Sequence, residues 1–351
     1  MKRLIIADVK SKNINGESPG HYFAVAQNYV DLYSDYCKVE IAGGPIFKTH
    51  FNEKDMFVLP YDFTPNENWV KSKWRVLKNC KYLFENALPD DIIVIQQSGL
   101  STAIMGVALF AKKKSNIYVI AYDTDAVVSP IKRLIYHLAR HKIKGLLCSR
   151  EHIAKAYGIP SCIVTDYIYT KKVTTPAVAF ENKKYDIVIA GRIRPGKGVV
   201  EAAQYLSKTS LKVLIAGSGN EQMIKQLYVI CKQCTNISLY IEYLSEEKYN
   251  EYIRSARFCL LNYDDTYEDR SSGVVLDAIF NGTPILGRRY KALTFVEKEN
   301  LGYLFDNIKE LNASIINDPK LYESFLRGIN NYIDKQNSYK KSVIEFLGLC
   351  K

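Results

Sequence analysis

The chain has 351 residues, of which 47% are hydrophobic and 24% are charged, a composition that excludes wholesale disorder. This length exceeds what one hydrophobic core usually serves, so we expect two domains. The net charge of +11 and the isoelectric point near 9.0 favour a polyanionic partner: nucleic acid, an acidic membrane surface or a phosphorylated small molecule.

Short apolar runs alternate with helical patterns in both halves of the chain. The runs are RLIIADV, DIIVIQQ, NIYVIAY and KGLLCS in the first half, and YDIVIAG, LKVLIAG, ISLYIEY, RFCLLNY and TPILGR in the second. Helical segments are expected near 198–208, 220–233, 245–256 and 273–281. Because runs that are apolar at every position suit parallel strands buried on both faces, the pattern predicts two successive β/α sheets.

The domain boundaries follow from composition. The stretch 171–184 is rich in Lys, Thr and Pro and predicts a linker between an N-terminal domain, 1–170, and a C-terminal domain, 185–330. Helical patterns follow Pro319, and the last of them, 331–351, can pack back on the first domain.

The chain shows no sign of a membrane span or of a metal centre. No apolar run approaches the roughly 20 residues that cross a bilayer, and the start of the sequence lacks a cleavage-site signature, so we expect a cytoplasmic protein. Of eight cysteines, only Cys231 and Cys234 form a Cys-x-x-Cys pair. Since zinc would need a second ligand pair, we expect reduced thiols and no metal.

The first chemical motif follows the strand YDIVIA. Gly191 allows a tight backbone turn beneath a ligand, and Arg192 and Lys197 can converge on one anion. Arginine offers a planar fork and lysine a mobile point charge, a pair that suits a diphosphate. A solvated basic loop is the alternative.

The second motif, LIAGSGNE, places Gly217 and Gly219 after another strand, where they allow a ligand to approach the backbone closely. A dinucleotide fingerprint needs a third glycine, but position 222 is Gln. The sequence therefore does not predict a nicotinamide site.

The third motif is a predicted helix start at Ser271, Ser272 and Gly273. Backbone N–H groups in the first turn lack helical partners and lie at the positive end of the dipole, so they can bind phosphate. Asp269 and Asp277 can hold sugar hydroxyls and the ribose. Alternatively, Asp269 only caps the helix and Asp277 is an ordinary first-turn carboxylate.

Together these motifs resemble the retaining glycosyltransferases of family 4, whose GT-B architecture has two Rossmann-like domains facing an interdomain cleft. Arg192 and Lys197 match that family's donor-phosphate pair. Asp269 and Asp277 match its signature of two glutamates separated by seven residues, although both are aspartate here. Glu268 is an alternative to Asp269.

Further matches support the resemblance. The Gly-x-Pro turn after the second carboxylate is present at 282–284, and CSREHIAKAYGIPSCIVTDYI is similar to the family's strand, helix and Gly-Ile-Pro connection. The family's glycine-rich first loop maps to 16–20. Its acceptor-side His or Asp maps to Asp123, with His21 as the alternative.

The resemblance implies transfer of a sugar from a nucleotide-diphosphate donor, a UDP-sugar, with retention of configuration. Arg192, Lys197 and the helix amides near Val274 and Val275 would neutralise the leaving diphosphate. The resemblance implies no bound metal and no other cofactor. Asp123-Thr-Asp125 has metal-binding spacing but lies in the expected acceptor half, where Asp123 would orient the acceptor hydroxyl.

Two basic and aromatic segments, 70–84 and 129–145, suggest where the acceptor is found. Their composition suits contact with anionic lipid headgroups, although ordinary amphipathic helices that pack on the core are the alternative. We expect a glycan or lipid-linked saccharide acceptor of cell-surface polysaccharide biosynthesis, used at the inner face of the membrane. A nucleic-acid-modifying sugar transferase, for which no binding motif is recognised, and a non-catalytic sugar-nucleotide-binding protein remain open.

Overall fold

In a computed structural model of the chain, the structure describes residues 2–13, 21–64, 67–96, 99–113, 115–164, 179–268 and 272–349. The chain divides into two compact units, one formed by Met1–Thr170 with Gln336–Lys351 and the other by Lys171–Lys335. Each unit is a parallel sheet packed against helices. The predicted fold class, two Rossmann-like α/β domains, is confirmed.

The N-terminal unit contains a seven-stranded parallel sheet in the order β3-β2-β1-β4-β5-β6-β7. Its strands are β1 Arg3–Ala7, β2 Lys38–Gly43, β3 Met56–Val58, β4 Ile92–Ile95, β5 Asn116–Ala121, β6 Ile143–Cys148 and β7 Ser161–Ile163. The four strands that the sequence predicts here are β1, β4, β5 and β6. Their apolar runs are buried, with Leu4 and Ile5 both 0% exposed.

The helices of this unit are α1 His21–Tyr33, α2 Trp69–Asn86, α3 Leu100–Phe110, α4 Asp125–Val128, α5 Pro130–Ala139 and α6 Glu151–Tyr157. The helical pattern predicted over 129–145 is wrong at its end. α5 stops at Ala139, and Ile143 already pairs with Ile117 of β5. The β-branched residue at 143 is buried in the sheet rather than on a helix face.

The C-terminal unit contains a six-stranded parallel sheet in the order β10-β9-β8-β11-β12-β13. Its strands are β8 Tyr185–Ala190, β9 Val213–Ala216, β10 Ile237–Tyr240, β11 Ala256–Leu261, β12 Ile285–Arg288 and β13 Gly302–Phe305. Its helices are α7 Val199–Leu206, α8 Glu221–Cys231, α9 Glu246–Arg254, α10 Gly273–Phe280, α11 Thr294–Lys298 and α12 Ala313–Ile316. All five strands and four helices predicted for this half are present.

The last helix, α13, runs without interruption over Pro319–Phe346. The prediction of a separate helix that begins at 331 is therefore wrong, because one helix continues through that position. Tyr322 and Phe325 lie in the core of the C-terminal unit, whereas Val343 and Ile344 lie in a core cluster of the N-terminal unit.

Of the predicted linker, residues 171–178 lie outside the described part of the chain. Phe180–Asn182 form a short 3-10 turn, and the Phe180 ring lies 5.1 Å from that of Tyr322. The end of the predicted linker thus packs on the C-terminal unit. Among the described helices, none combines the length and apolarity needed to cross a bilayer.

The strand order of the C-terminal sheet creates a switch point. From β8 the chain adds β9 and β10 on one side, and then returns to add β11, β12 and β13 on the other. The carboxyl ends of β8 and β11 are therefore neighbours from which the chain departs in opposite directions. Open parallel sheets generally bind their ligands at this position.

Candidate functional site

A tight backbone turn leaves β8 at the switch point. Gly191 has φ +100, a backbone conformation that residues with a side chain rarely adopt. Its N–H donates to the Ala216 carbonyl at 2.9 Å. A Cβ atom at Gly191 would lie 3.6 Å from Cγ2 of Val274 and 3.9 Å from Nζ of Lys197. The structure thus brings together residues from the first and third motifs of the sequence.

The loop after β8 is bound to the segment after β11, which fixes the position of Lys197. Gly196 and Gly198, on either side of it, both have positive φ. The Asp264 N–H donates to the Gly196 carbonyl at 2.9 Å, and Asn262 Nδ2 donates to the Gly198 carbonyl at 3.2 Å. Hydrogen bonds to the carbonyl groups on both sides of Lys197 therefore hold it at the switch point.

The ammonium group of Lys197 is buried, with the residue 9% exposed. Burial lowers the pKa of Lys197 to about 8, and the nearby Arg194 and Arg192 lower it further, while Asp277 opposes the shift. Nζ lies 5.3 Å from the centre of the Tyr263 ring. Within the described ranges, no carboxylate forms an ion pair with this cation. A bound anion would supply the missing counter-charge.

Helix α10 begins at Gly273, where the sequence predicts it, and Ser272 is its N-cap residue. The Ser272 hydroxyl makes no capping bond to the helix, and it lies 2.9 Å from the Tyr263 hydroxyl instead. The first-turn amides, including those of Gly273 and Val274, are thus not capped by a side chain and can bind an anion. Val274 and Val275 themselves are buried. The Val275 N–H donates to the Ser272 carbonyl at 3.1 Å, so the prediction that this amide binds the diphosphate is wrong.

Asp277 lies one turn into α10 and is half-buried. The Tyr249 hydroxyl donates to Asp277 Oδ2 at 3.1 Å, and the Tyr249 ring would lie 3.9 Å from a Cβ at Gly191. Burial first, and then the Asp277 charge, raise the pKa of Tyr249 well above its ordinary value. Sequence reasoning missed Tyr249, because it lies on α9, and nothing in that helix's pattern distinguishes it.

Gly217 has a packing role next to this turn. With φ +143, it approaches so closely that a Cβ there would lie 2.0 Å from the Gly191 carbonyl oxygen, and its N–H donates to the Tyr240 carbonyl. Arg192 is exposed and lies close enough to Lys197 to lower its pKa. Gly217 therefore allows the Gly191 turn to form, and Arg192 adds positive charge at its rim.

Other predicted residues on this side are placed as follows. Asp269 and Ser271 lie outside the described residues. The alternative carboxylate, Glu268, is 41% exposed and lies 3.8 Å from Nζ of Lys291. The turn at 282–284 closes α10 on the preceding helix, since the buried Thr283 hydroxyl donates to the Ile253 carbonyl at 3.0 Å.

Asp123 belongs to the N-terminal unit, where it follows β5. Its Oδ1 accepts from the Asp125 N–H at 2.8 Å, and Asp125 pairs with Lys132 at 2.7 Å. The loop 16–20 and the side chain of His21 lie outside the described part of the chain. In that part, no group of three or more His, Cys, Asp or Glu residues could hold a metal ion.

No family model and no curated protein matches the sequence, but solved structures are similar in fold. Trehalose-6-phosphate synthase, solved in work on glycosyltransfer with retention, aligns over 100% of both chains with a TM-score of 0.72 and 10% identity. Anabaena HepE, in complex with UDP and glucose, aligns over 100% of both chains with a TM-score of 0.61 and 13% identity. AviGT4, a glycosyltransferase involved in avilamycin A biosynthesis, aligns over 99% of this chain and 97% of its own with a TM-score of 0.63 and 12% identity.

These neighbours have the GT-B fold of nucleotide-sugar glycosyltransferases. The chain therefore has the GT-B fold, as the sequence predicts.

Proposed function

We propose that the protein is a retaining glycosyltransferase, similar to family 4, that transfers a sugar from a UDP-sugar to a glycan or lipid-linked saccharide. The proposal depends on one observation: a buried lysine, which pairs with no carboxylate among the described residues, lies at the switch point of the C-terminal sheet, next to Gly191 and Val274. A neutral ligand would leave that charge uncompensated, whereas a diphosphate would pair with it.

The residues of this site suit the departure of a nucleoside diphosphate. As the bond from the sugar to the phosphate breaks, negative charge develops on the leaving oxygen. Lys197, Arg192 and the first-turn amides at Gly273 and Val274 are fixed positive groups for that charge, and fixed groups lower the barrier without reorganisation. These groups supply positive charge without a metal ion or other cofactor.

Carboxylates orient the rest of the donor in this proposal. Asp277, held by Tyr249, accepts hydrogen bonds from the ribose hydroxyls. Asp269, or Glu268 in its place, holds hydroxyls of the transferred sugar. Two neighbours support this chemistry, since HepE was solved with UDP and glucose, and the synthase was studied for transfer with retention.

We assign the acceptor to the N-terminal unit, where Asp123 follows the central strand β5. The proposed acceptor belongs to cell-surface polysaccharide biosynthesis, and the proposed location is the cytoplasm, at the inner face of the membrane. The basic charge of the chain supports an acidic surface as partner.

Titration calorimetry of UDP, UMP and uridine tests the donor site. Because Lys197 is expected to hold the second phosphate, UDP should bind at least tenfold more tightly than UMP, about 1.4 kcal/mol. Equal affinity for UDP and UMP would contradict the diphosphate site. The release of UDP from UDP-glucose, with and without a saccharide acceptor, then separates an enzyme from a binding protein, since only an enzyme turns over.

A further inference from the structure

Helix α5 exposes a continuous apolar stripe. Ile131, Leu134 and Leu138 are 74%, 62% and 56% exposed, and spacings of three and four residues place them on one helix face. The other face is used for packing, since Tyr136 and Ala139 are buried in the core. A row of exposed branched aliphatic side chains on one helix indicates a surface that binds a partner.

Helix α2 exposes a second apolar group near its start. Trp69, Val70 and Trp74 are 67%, 56% and 46% exposed. Nζ of Lys73 lies 4.4 Å from the Trp69 ring centre, and Nζ of Lys78 lies 5.3 Å from that of Trp74. Tryptophan with adjacent lysine is typical of the boundary between lipid headgroups and acyl chains, where an amphipathic ring and a cation are both favoured.

The two helices belong to one layer over the N-terminal sheet. Both contribute to the same core cluster as α3, through Cys80 of α2, Ala103 of α3 and Tyr136 of α5. In addition, α3 contacts both α2 and α5. Since α2 and α5 each follow a strand of one parallel sheet, both begin at its carboxyl edge. The two exposed apolar groups therefore lie on helices of the same layer.

The positive charge of α2 and α5 indicates which partner suits their exposed apolar groups. α2 and the segment 130–142 hold nine Lys and Arg side chains and one carboxylate, a net charge of +8 in a chain whose total is +11. Glu67 and Asp125 pair with some of these cations, and including them still leaves +6. A second copy of the same surface would bring like charge, whereas an anionic bilayer offers both opposite charge and an apolar phase.

We propose that α2 and α5 form a membrane-docking surface for an anionic bilayer. The tryptophans of α2 and the aliphatic stripe of α5 enter the boundary between headgroups and acyl chains, and the flanking lysines and arginines bind the headgroups. This surface contains none of the residues assigned to the donor site. Docking is therefore independent of the proposed sugar transfer, although it would bring the protein to a lipid-linked acceptor.

Co-sedimentation with vesicles tests the docking surface. The protein should bind phosphatidylcholine vesicles that contain about one-third phosphatidylglycerol, and binding should be lost in about 0.5 M salt, where charges are screened within a few Å. Leu134→Ser with Leu138→Ser should weaken this binding at least tenfold. The matched control is Tyr228→Ser with Val229→Ser, a pair on α8 that is 49% and 59% exposed, and it should bind like the wild type.

Three results would overturn the proposal: equal binding to neutral and anionic vesicles, no effect of the α5 double variant, or an equal effect of the α8 control. A change in oligomeric state of the α5 variant without lipid would also overturn it, since the surface would then join protein chains. Because all four substituted side chains are exposed, folding should not change. UDP affinity, measured on the same variants, reports the donor site separately.

Discussion

Replacing Lys197 with methionine should make the protein more stable and at the same time weaken its binding of UDP. The pKa of Lys197 is lowered from 10.5 to about 8, mainly by burial. The folded state therefore binds this proton less tightly than the unfolded state. The free-energy cost of burying the charged lysine destabilises the folded state fully below pH 8, and this cost disappears as the pH rises from about 8 to 10.5.

A shift of this size corresponds to about 3 kcal/mol at neutral pH. Methionine fills nearly the same space and carries no charge, so Lys197→Met should raise the free energy of unfolding by up to about 3 kcal/mol at pH 7. The gain should shrink at pH 10. Denaturant unfolding at both pH values, without ligand, measures it.

The charged form of Lys197 should favour UDP binding, although it destabilises the folded protein. In the wild type, the affinity for UDP should fall about tenfold between pH 7 and pH 9, because the ammonium form becomes the minor one. The Lys197→Met variant should bind UDP weakly at both pH values. Titration calorimetry provides both affinities.

Lys183 offers a matched control, because burial, and then Arg254, lower the pKa of Lys183 to about 8 as well. Its Nζ donates to the Arg254 carbonyl at 2.7 Å, so Lys183→Met should gain less stability. The control should leave UDP affinity unchanged. If Lys197→Met binds UDP like the wild type, or if Lys183→Met loses UDP binding equally, the assignment of the anion site is refuted.

Three further substitutions test other parts of the structure. Burial raises the pKa of Asp8 to about 7, so the free energy of unfolding of the wild type should fall by up to roughly 4 kcal/mol as the pH rises from 4 to 7. Urea unfolding of Asp8→Asn should not show this fall. If the variant has the same pH profile as the wild type, Asp8 is not its cause. Tyr249→Phe removes the donor to Asp277 and should weaken UDP binding about fivefold in calorimetry, near 1 kcal/mol; an unchanged affinity would exclude Tyr249 from the site. Gly217→Ala places a methyl group against the Gly191 carbonyl and should cost about 3 kcal/mol of unfolding free energy; a melting temperature equal to that of the wild type would show that the turn can adjust.

The strands that the sequence predicts are those whose side chains are apolar at almost every position, such as β1 and β8. β2 was missed because its run is interrupted by Glu40, a buried carboxylate that pairs with Lys38 of the same strand at 2.7 Å and with Arg3 of β1 at 3.0 Å. The pair with Arg3 joins residues far apart in the chain. Periodicity within one segment cannot show it.

The candidate site also contains residues that the sequence could predict and residues that it could not. Gly191, Lys197 and Gly273 could be selected from sequence because each belongs to a short motif with its own backbone chemistry. Tyr249 and Tyr263 could not, since their roles depend on contacts with α10 made from other elements. The glycines on either side of Lys197 bind the segment after β11, and only the fold shows this.

A lowered pKa alone does not distinguish a binding residue from a structural one, because Lys183 and Lys197 are shifted to similar values. Their surroundings separate them. The Lys183 ammonium has a backbone carbonyl as acceptor, which accounts for its burial without any ligand. Lys197 is held instead at a switch point, next to an aromatic ring and an uncapped helix start, where a diphosphate would be the stabilising partner.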